Sequence, residues 1–108
     1  MQIVVTSRHF QLSDEARDKI LKKITGLIRH AGQITKARVV VSREKFRYQA
    51  EVFVTGIGKG KVFSVKDNAG DPVSAVILAT EKIDEQIIKF KERRRRYEDF
   101  RHSQERGN

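Results

Sequence analysis

The chain has no cysteine, which removes disulfide frameworks, thiolate zinc sites and cysteine nucleophiles together. Long apolar runs are also missing. The opening Met1-Gln2-Ile3-Val4-Val5 turns polar after three apolar residues, too few for a signal-peptide core, and no later stretch could span a bilayer. The expectation is a soluble, cytoplasmic protein with no membrane partner. Aromatics are sparse at 7%. Among those in predicted strands only Phe53 points away from the presumed core, where pairing with Val40 across the strands is the favoured reading. The lack of paired exposed aromatics argues against base readout of the RNA-recognition-motif kind and for backbone or shape recognition.

Catalytic and cofactor signatures are missing too. His9, His30 and His102 lie in different elements without metal-ligand spacing. Ser7, Ser42, Ser64 and Ser74 lack the setting of a nucleophile. The loop Gly56-Ile57-Gly58-Lys59-Gly60 has the glycines of a phosphate cradle, but Lys61-Val62-Phe63-Ser64-Val65 continues as a strand where a P-loop opens a helix. A flexible hairpin is expected there, with Lys59 and Lys61 available to phosphate. Neither an enzyme nor a cofactor or metal site is expected.

What the chain has in excess is positive charge. Its 108 residues, enough for one domain with its own core, carry 23 Lys and Arg against 14 Asp and Glu, a net charge of +9. Residues 1–88 hold 15 basic and 10 acidic side chains and residues 89–108 hold 8 and 4, so both parts are positive. A polyanionic partner follows: nucleic acid, acidic membrane or acidic protein.

Periodicity supplies the frame. Gln2 to Thr6 reads as a short strand with Ile3 and Val5 on one face. Ser13-Asp14-Glu15 is a helix start, Leu12 a hydrophobic staple, and Ala16, Ile20, Ile24, Leu27, Ile28 and Ala31 keep helical spacing until Gly32 stops the helix. Three strands follow: one around Ala37, Val39 and Val41, one around Tyr48, Ala50, Val52 and Val54, and one from Lys61 to Lys66. Arg43-Glu44-Lys45-Phe46 forms a charged hairpin connection, and Asp67-Asn68-Ala69-Gly70 a loop. Asp71 caps a last helix with Pro72 in its first position, running to about Phe100. The order β-α-β-β-β-α predicts an α+β two-layer sandwich: a four-stranded sheet, its first two strands parallel, with both helices on one face. Residues 1–96 form the domain and 97–108 a basic, flexible tail.

The last helix carries two stripes. At roughly 100° per residue, Val76, Thr80, Ile83, Ile87 and Phe90 share one side, while Lys82, Gln86, Lys89, Arg93 and Arg96 share another. One side anchors the helix while the other presents a row of cations. From Lys89 to Arg96 Glu92 is the one acid, a density of like charge that a phosphate backbone would neutralise, and arginine suits bidentate phosphate contacts.

The run Asp71-Pro72-Val73-Ser74-Ala75-Val76, with Lys82-Ile83, Gln86-Ile87, Lys89 and Lys91, resembles the last helix of the ribosome hibernation-promoting factors, also called ribosome-associated inhibitors or sigma-54 modulation proteins. Ile3, Ser13 and the Lys22-Lys23 helix are similar as well, and the element order agrees from Met1 to about Arg96. Val73 and Ile77 depart from the family, which carries Tyr and Asp there. The resemblance, to the short form of the family, implies a fold like that of double-stranded-RNA-binding domains. It also implies binding in the small-subunit cleft where messenger and transfer RNA sit, blocking initiation and preserving idle ribosomes. Lys22, Lys23, Lys82, Lys89, Lys91 and Arg93 would contact phosphates and Gln86 would hydrogen-bond; Arg94, Arg95 and Arg96 are added on charge alone. The partners implied are the small ribosomal subunit and its RNA, with room for a second, ribosome-dimerising factor, and the protein would be monomeric off the ribosome. Two alternatives stand beside this: a general double-stranded-RNA-binding module, and a regulator whose basic end grips an acidic protein.

Overall fold

The computed structural model describes the backbone of residues 2–106 and the side chains of residues 2–97. Its elements are β1 (Gln2–Arg8), α1 (Asp14–Ala31), β2 (Lys36–Glu44), β3 (Arg47–Thr55), β4 (Val62–Ala69) and α2 (Pro72–Arg106). The sheet order is β1-β2-β3-β4, with β1 parallel to β2 and the other pairs antiparallel. This is the α+β arrangement expected from the periodicity.

Strand alternation decides which face is covered. Ala37, Val39 and Val41 of β2 lie opposite Val54, Val52 and Ala50 of β3, and all six are fully buried. Ile20, Ile24, Leu27 and Ile28 of α1 and Val76, Ile83 and Ile87 of α2 join them in one core cluster. Burying side chains of this size contributes about 1.5–3 kcal/mol each, so the two-layer sandwich is held by the face the helices share. Thr80, the buried polar residue of α2, donates its hydroxyl to the Val76 carbonyl at 2.6 Å and leaves no orphan group. On the uncovered face Phe53 lies opposite Arg38, not Val40, with the guanidinium 5.9 Å from the ring centroid. Val40 instead faces Glu51 and Thr6.

Local chemistry sets the helix ends. The Ser13 hydroxyl accepts from the Ala16 N–H at 3.1 Å and Leu12 is buried beside the first turn of α1. Gly32, at φ 64°, returns its N–H to the Ile28 carbonyl at 3.0 Å. At the start of α2, Asp71 accepts from the Ser74 N–H at 2.8 Å and from its hydroxyl at 2.7 Å. These bonds hold the Asp71 carboxyl below the usual carboxylate range.

Three segments differ from expectation. β4 runs on through Asp67, Asn68 and Ala69, expected as loop, because pairing with Ala50, Gln49 and Tyr48 of β3 outweighs the poor strand propensity of Asp and Asn. The glycine-rich connection is pinned at two points: Ile57 is fully buried, and Gly58 (φ 78°) lies so near the Phe90 ring that a Cβ would come within 2.9 Å of it. The last helix extends to Arg106. At 1.5 Å per residue its 35 residues span about 52 Å, outrunning strands of 7–9 residues. The stretch 97–108 itself holds two basic and three acidic side chains; the positive charge of the C-terminal part is therefore concentrated in Lys89–Arg96.

Candidate nucleic-acid interface

Because α2 returns along β4 after a two-residue connection, its side chains meet the strand in reverse order. Lys82 sits beside Asp67, and Gln86, Lys89 and Arg93 line a groove of about 350 Å³ with Lys61, Val62 and Ser64. Phe63 and Phe90 form its floor, edge-on with ring centroids 5.4 Å apart. The Lys61 ammonium lies 5.3 Å from the first centroid and 5.0 Å from the second. Ring quadrupoles attract a cation placed this way, so Lys61 is steered into the groove. None of the eight lining residues is acidic.

The other flank of α2 faces α1 and is mixed in sign. Lys22 and Lys23 border a cleft with His30, Thr80, Glu81 and Asp84. There Lys23 pairs with Glu81 at 3.6 Å and His30 with Asp84 at 3.0 Å. Further along, Lys91 and Arg95 share a cleft with Asp84 and Glu92. By helical spacing Glu81, Glu85 and Glu92 form a ridge between the two flanks.

The ten residues expected to bind RNA are thus divided. Gln86, Lys89, Arg93 and Arg96 share the β4 flank and are exposed, as the spacing predicted. Lys82 is on that flank too, but Asp67 holds it at 2.8 Å; its side chain is still 58% exposed, so donors remain for a phosphate. That contact, with the Asn68 N–H, lowers the Asp67 carboxyl below its ordinary range. Lys22, Lys23, Lys91 and Arg95 belong to the α1 flank. Lys91 is half-buried, its ammonium donating to the Ala31 carbonyl at the end of α1, so it closes a helix there. Arg94 continues the apolar stripe and turns toward Lys59 and the glycine loop.

Two features escaped the sequence reading. The groove wall from β4, Lys61 with Ser64, was visible only as strand residues, because its role depends on α2 folding back beside it. Phe46, taken as part of a charged connection, stands 92% exposed at a hairpin tip. The two-residue turn that exposes it follows from the pairing of Glu44 with Arg47, and nothing local in Arg43–Phe46 marks it. No group of three or more His, Asp or Glu among the described residues could hold a metal, and no helix there is long and apolar enough to cross a membrane.

Comparison with known proteins bears on this arrangement. Residues 3–95 match the family described as sigma 54 modulation protein / S30EA ribosomal protein. The chain is 30% identical over 93 residues to a ribosome hibernation promoting factor of Azotobacter vinelandii, covering 86% of this chain and 85% of that one. It is 27% identical over 93 residues to the factor of the same name from Pseudomonas putida, covering 86% and 89%. Among solved structures it resembles the Thermus thermophilus Protein Y N-terminal domain, with a TM-score of 0.71 and 26% identity over 83% of this chain and 99% of that one. A ribosomal subunit interface protein from Coxiella burnetii shares the fold, with a TM-score of 0.75 and 20% identity over 84% and 98%. The family match ends within the arginine run, at Arg95, and takes in every strand, α1 and the whole groove: the chain belongs to the sigma 54 modulation protein / S30EA ribosomal protein family.

Proposed function

We propose that this protein is a ribosome hibernation factor that acts by occupation and not by catalysis. It binds the small ribosomal subunit in the channel used by messenger and transfer RNA, blocks initiation and preserves idle ribosomes in the cytoplasm of stressed cells. The observation that carries this reading is the acid-free groove between α2 and β4, where Lys61, Lys89 and Arg93 converge on one side of a rigid helix. Family membership and the names of the A. vinelandii and P. putida relatives support it.

The chemistry required is modest. A phosphate backbone lying in the groove would release its counterions to Lys61, Lys89, Arg93 and Arg96, with Lys82 and Gln86 completing the row. The α1 flank, through Lys22, Arg95 and the remaining donors of Lys23, is a weaker second contact because its carboxylates oppose it. A domain of this size held in the channel excludes messenger RNA by volume alone. Off the ribosome the protein is a monomer. Residues 1–96 provide the bound domain, and a second, ribosome-dimerising factor is a further partner.

Sedimentation with purified subunits tests the proposal. The chain should migrate with the small subunit at low salt, and about six phosphate contacts should cost roughly three orders of magnitude in affinity between 50 and 200 mM salt. Excess duplex RNA should fail to displace it. Failure to co-migrate would reject the reading, and displacement by any long duplex would mark a general double-stranded-RNA-binding module instead.

A further inference from the structure

The last pair of the β2–β3 ladder is Glu44 with Arg47, leaving Lys45 and Phe46 as the whole turn. Two-residue hairpins favour Asn-Gly or Asp-Gly because the turn demands left-handed backbone. Here Lys45 adopts φ 45° without being glycine or asparagine, a conformation that costs conformational energy in a residue with a Cβ. The turn holds an aromatic ring in water: Phe46 is 92% exposed, against 65% for Tyr97 and 57% for Val62. It enters none of the ring pairs found among the described residues. Arg43, Lys45 and Arg47 lie within three residues of it in the sequence, with Glu44, opposite Arg47 in the ladder, the one acid among them.

We propose that Phe46 is a stacking finger for an unpaired RNA base, a contact separate from the groove between α2 and β4. An apolar protein pocket or a receptor groove would accept the ring but gives no reason for three cations within three residues of it. A nucleobase gives both, since the ring stacks on its face while the cations meet the flanking phosphates. The finger is also remote from the arginine run. β2 and β3 pair Lys36 with Thr55 beside the glycine loop and Glu44 with Arg47 at the other end, about 26 Å away at 3.3 Å per residue. A partner touching both must therefore span the length of the sheet, and a base free to stack must be unpaired, which a plain duplex does not offer. The proposal rests on the ribosomal reading for its physiological partner, but the stacking itself can be measured without ribosomes.

The chain contains no tryptophan, so Phe46→Trp introduces a single reporter at the tip. Three binding series are compared: wild type, F46W and F46A, each with purified small subunits and with a short single-stranded RNA. Stacking predicts that F46W binds as wild type and that its emission is quenched by both partners. It also predicts that F46A binds the subunit roughly 10- to 100-fold more weakly, with the salt dependence unchanged because no cation is lost. Circular dichroism should show F46A folded, since the side chain touches no core. Unchanged F46A affinity, or bound F46W without quenching, overturns the proposal; a blue shift without quenching on the subunit assigns the tip to a protein pocket and also overturns it. If wild type ignores ribosomes while single-stranded RNA still quenches F46W, the hibernation reading falls and the stacking finger stands.

Discussion

The ammonium of Lys91 on α2 donates to the backbone oxygen of Ala31, the last residue of α1. This bond ties the two helices at the point where α1 would otherwise end with an unsatisfied carbonyl, and it sets a cation at the negative end of the helix dipole.

Replacing Lys91 should therefore act on stability and not on RNA. We expect Lys91→Met to lower the unfolding free energy by about 1 kcal/mol, the order of a charge-assisted bond at a helix end, while subunit affinity stays within about twofold. Urea denaturation and a binding isotherm on the same variant check both halves. Lys89→Met should do the reverse.

Asp67 restrains Lys82 at 2.8 Å on the β4 flank of α2. Removing that carboxylate frees a cation, so Asp67→Asn should tighten subunit binding and steepen its salt dependence by about one phosphate contact. The ion pair is partly exposed and contributes little, about 0–1 kcal/mol, so the melting temperature should barely move. Titrations at four salt concentrations would reveal the change in slope.

Acid should weaken the fold through its two depressed carboxylates. Asp67 is lowered by Lys82 and Asp71 by Ser74. Each is ionised more readily folded than unfolded, so its contribution is complete above the ordinary carboxylate range and is lost as pH falls through the lowered folded values. The urea midpoint should hold from neutrality to about pH 5 and decline below about pH 4. The Asp67→Asn, Asp71→Asn double variant should show a shallower decline, since asparagine still caps α2 at every pH.

Two glycines are predicted to be irreplaceable for backbone reasons. A Cβ at Gly56 (φ 113°) would lie 2.6 Å from the Thr35 nitrogen, and one at Gly58 would meet the Phe90 ring. Gly56→Ala faces rigid backbone and should cost about 2 kcal/mol or more; Gly58→Ala should cost about 1–2, because the ring can shift. By contrast Gly60, with open space around it but φ 71°, should cost only the strain of its conformation, about 1 kcal/mol. Thermal melts of the three variants rank them.

What the sequence revealed was whatever depends on near neighbours. The Ser13 cap, the Gly32 stop, the alternation of β2 and β3 and the Val76-to-Phe90 stripe are set within a few residues, and all stand where periodicity places them. What it hid depends on remote partners. Lys23, Lys82 and Lys91 look like free cations in the sequence, but Glu81, Asp67 and Ala31 engage them across 58, 15 and 60 positions. The end of β4 was hidden for the same reason: Asp67-Asn68 forms a strand because β3 offers it a partner. Phe46 was hidden because its exposure follows from hairpin register, which the turn residues themselves do not advertise.

The central claim is that cations along the α2–β4 groove hold the protein on ribosomal RNA. Its most direct test compares the salt dependence of small-subunit binding for wild type with that of Lys89→Glu plus Arg93→Glu. The account predicts a folded double variant with affinity at least about 100-fold weaker at low salt and a slope reduced by about two contacts. A double variant that binds as tightly as wild type, with the same slope, would contradict it.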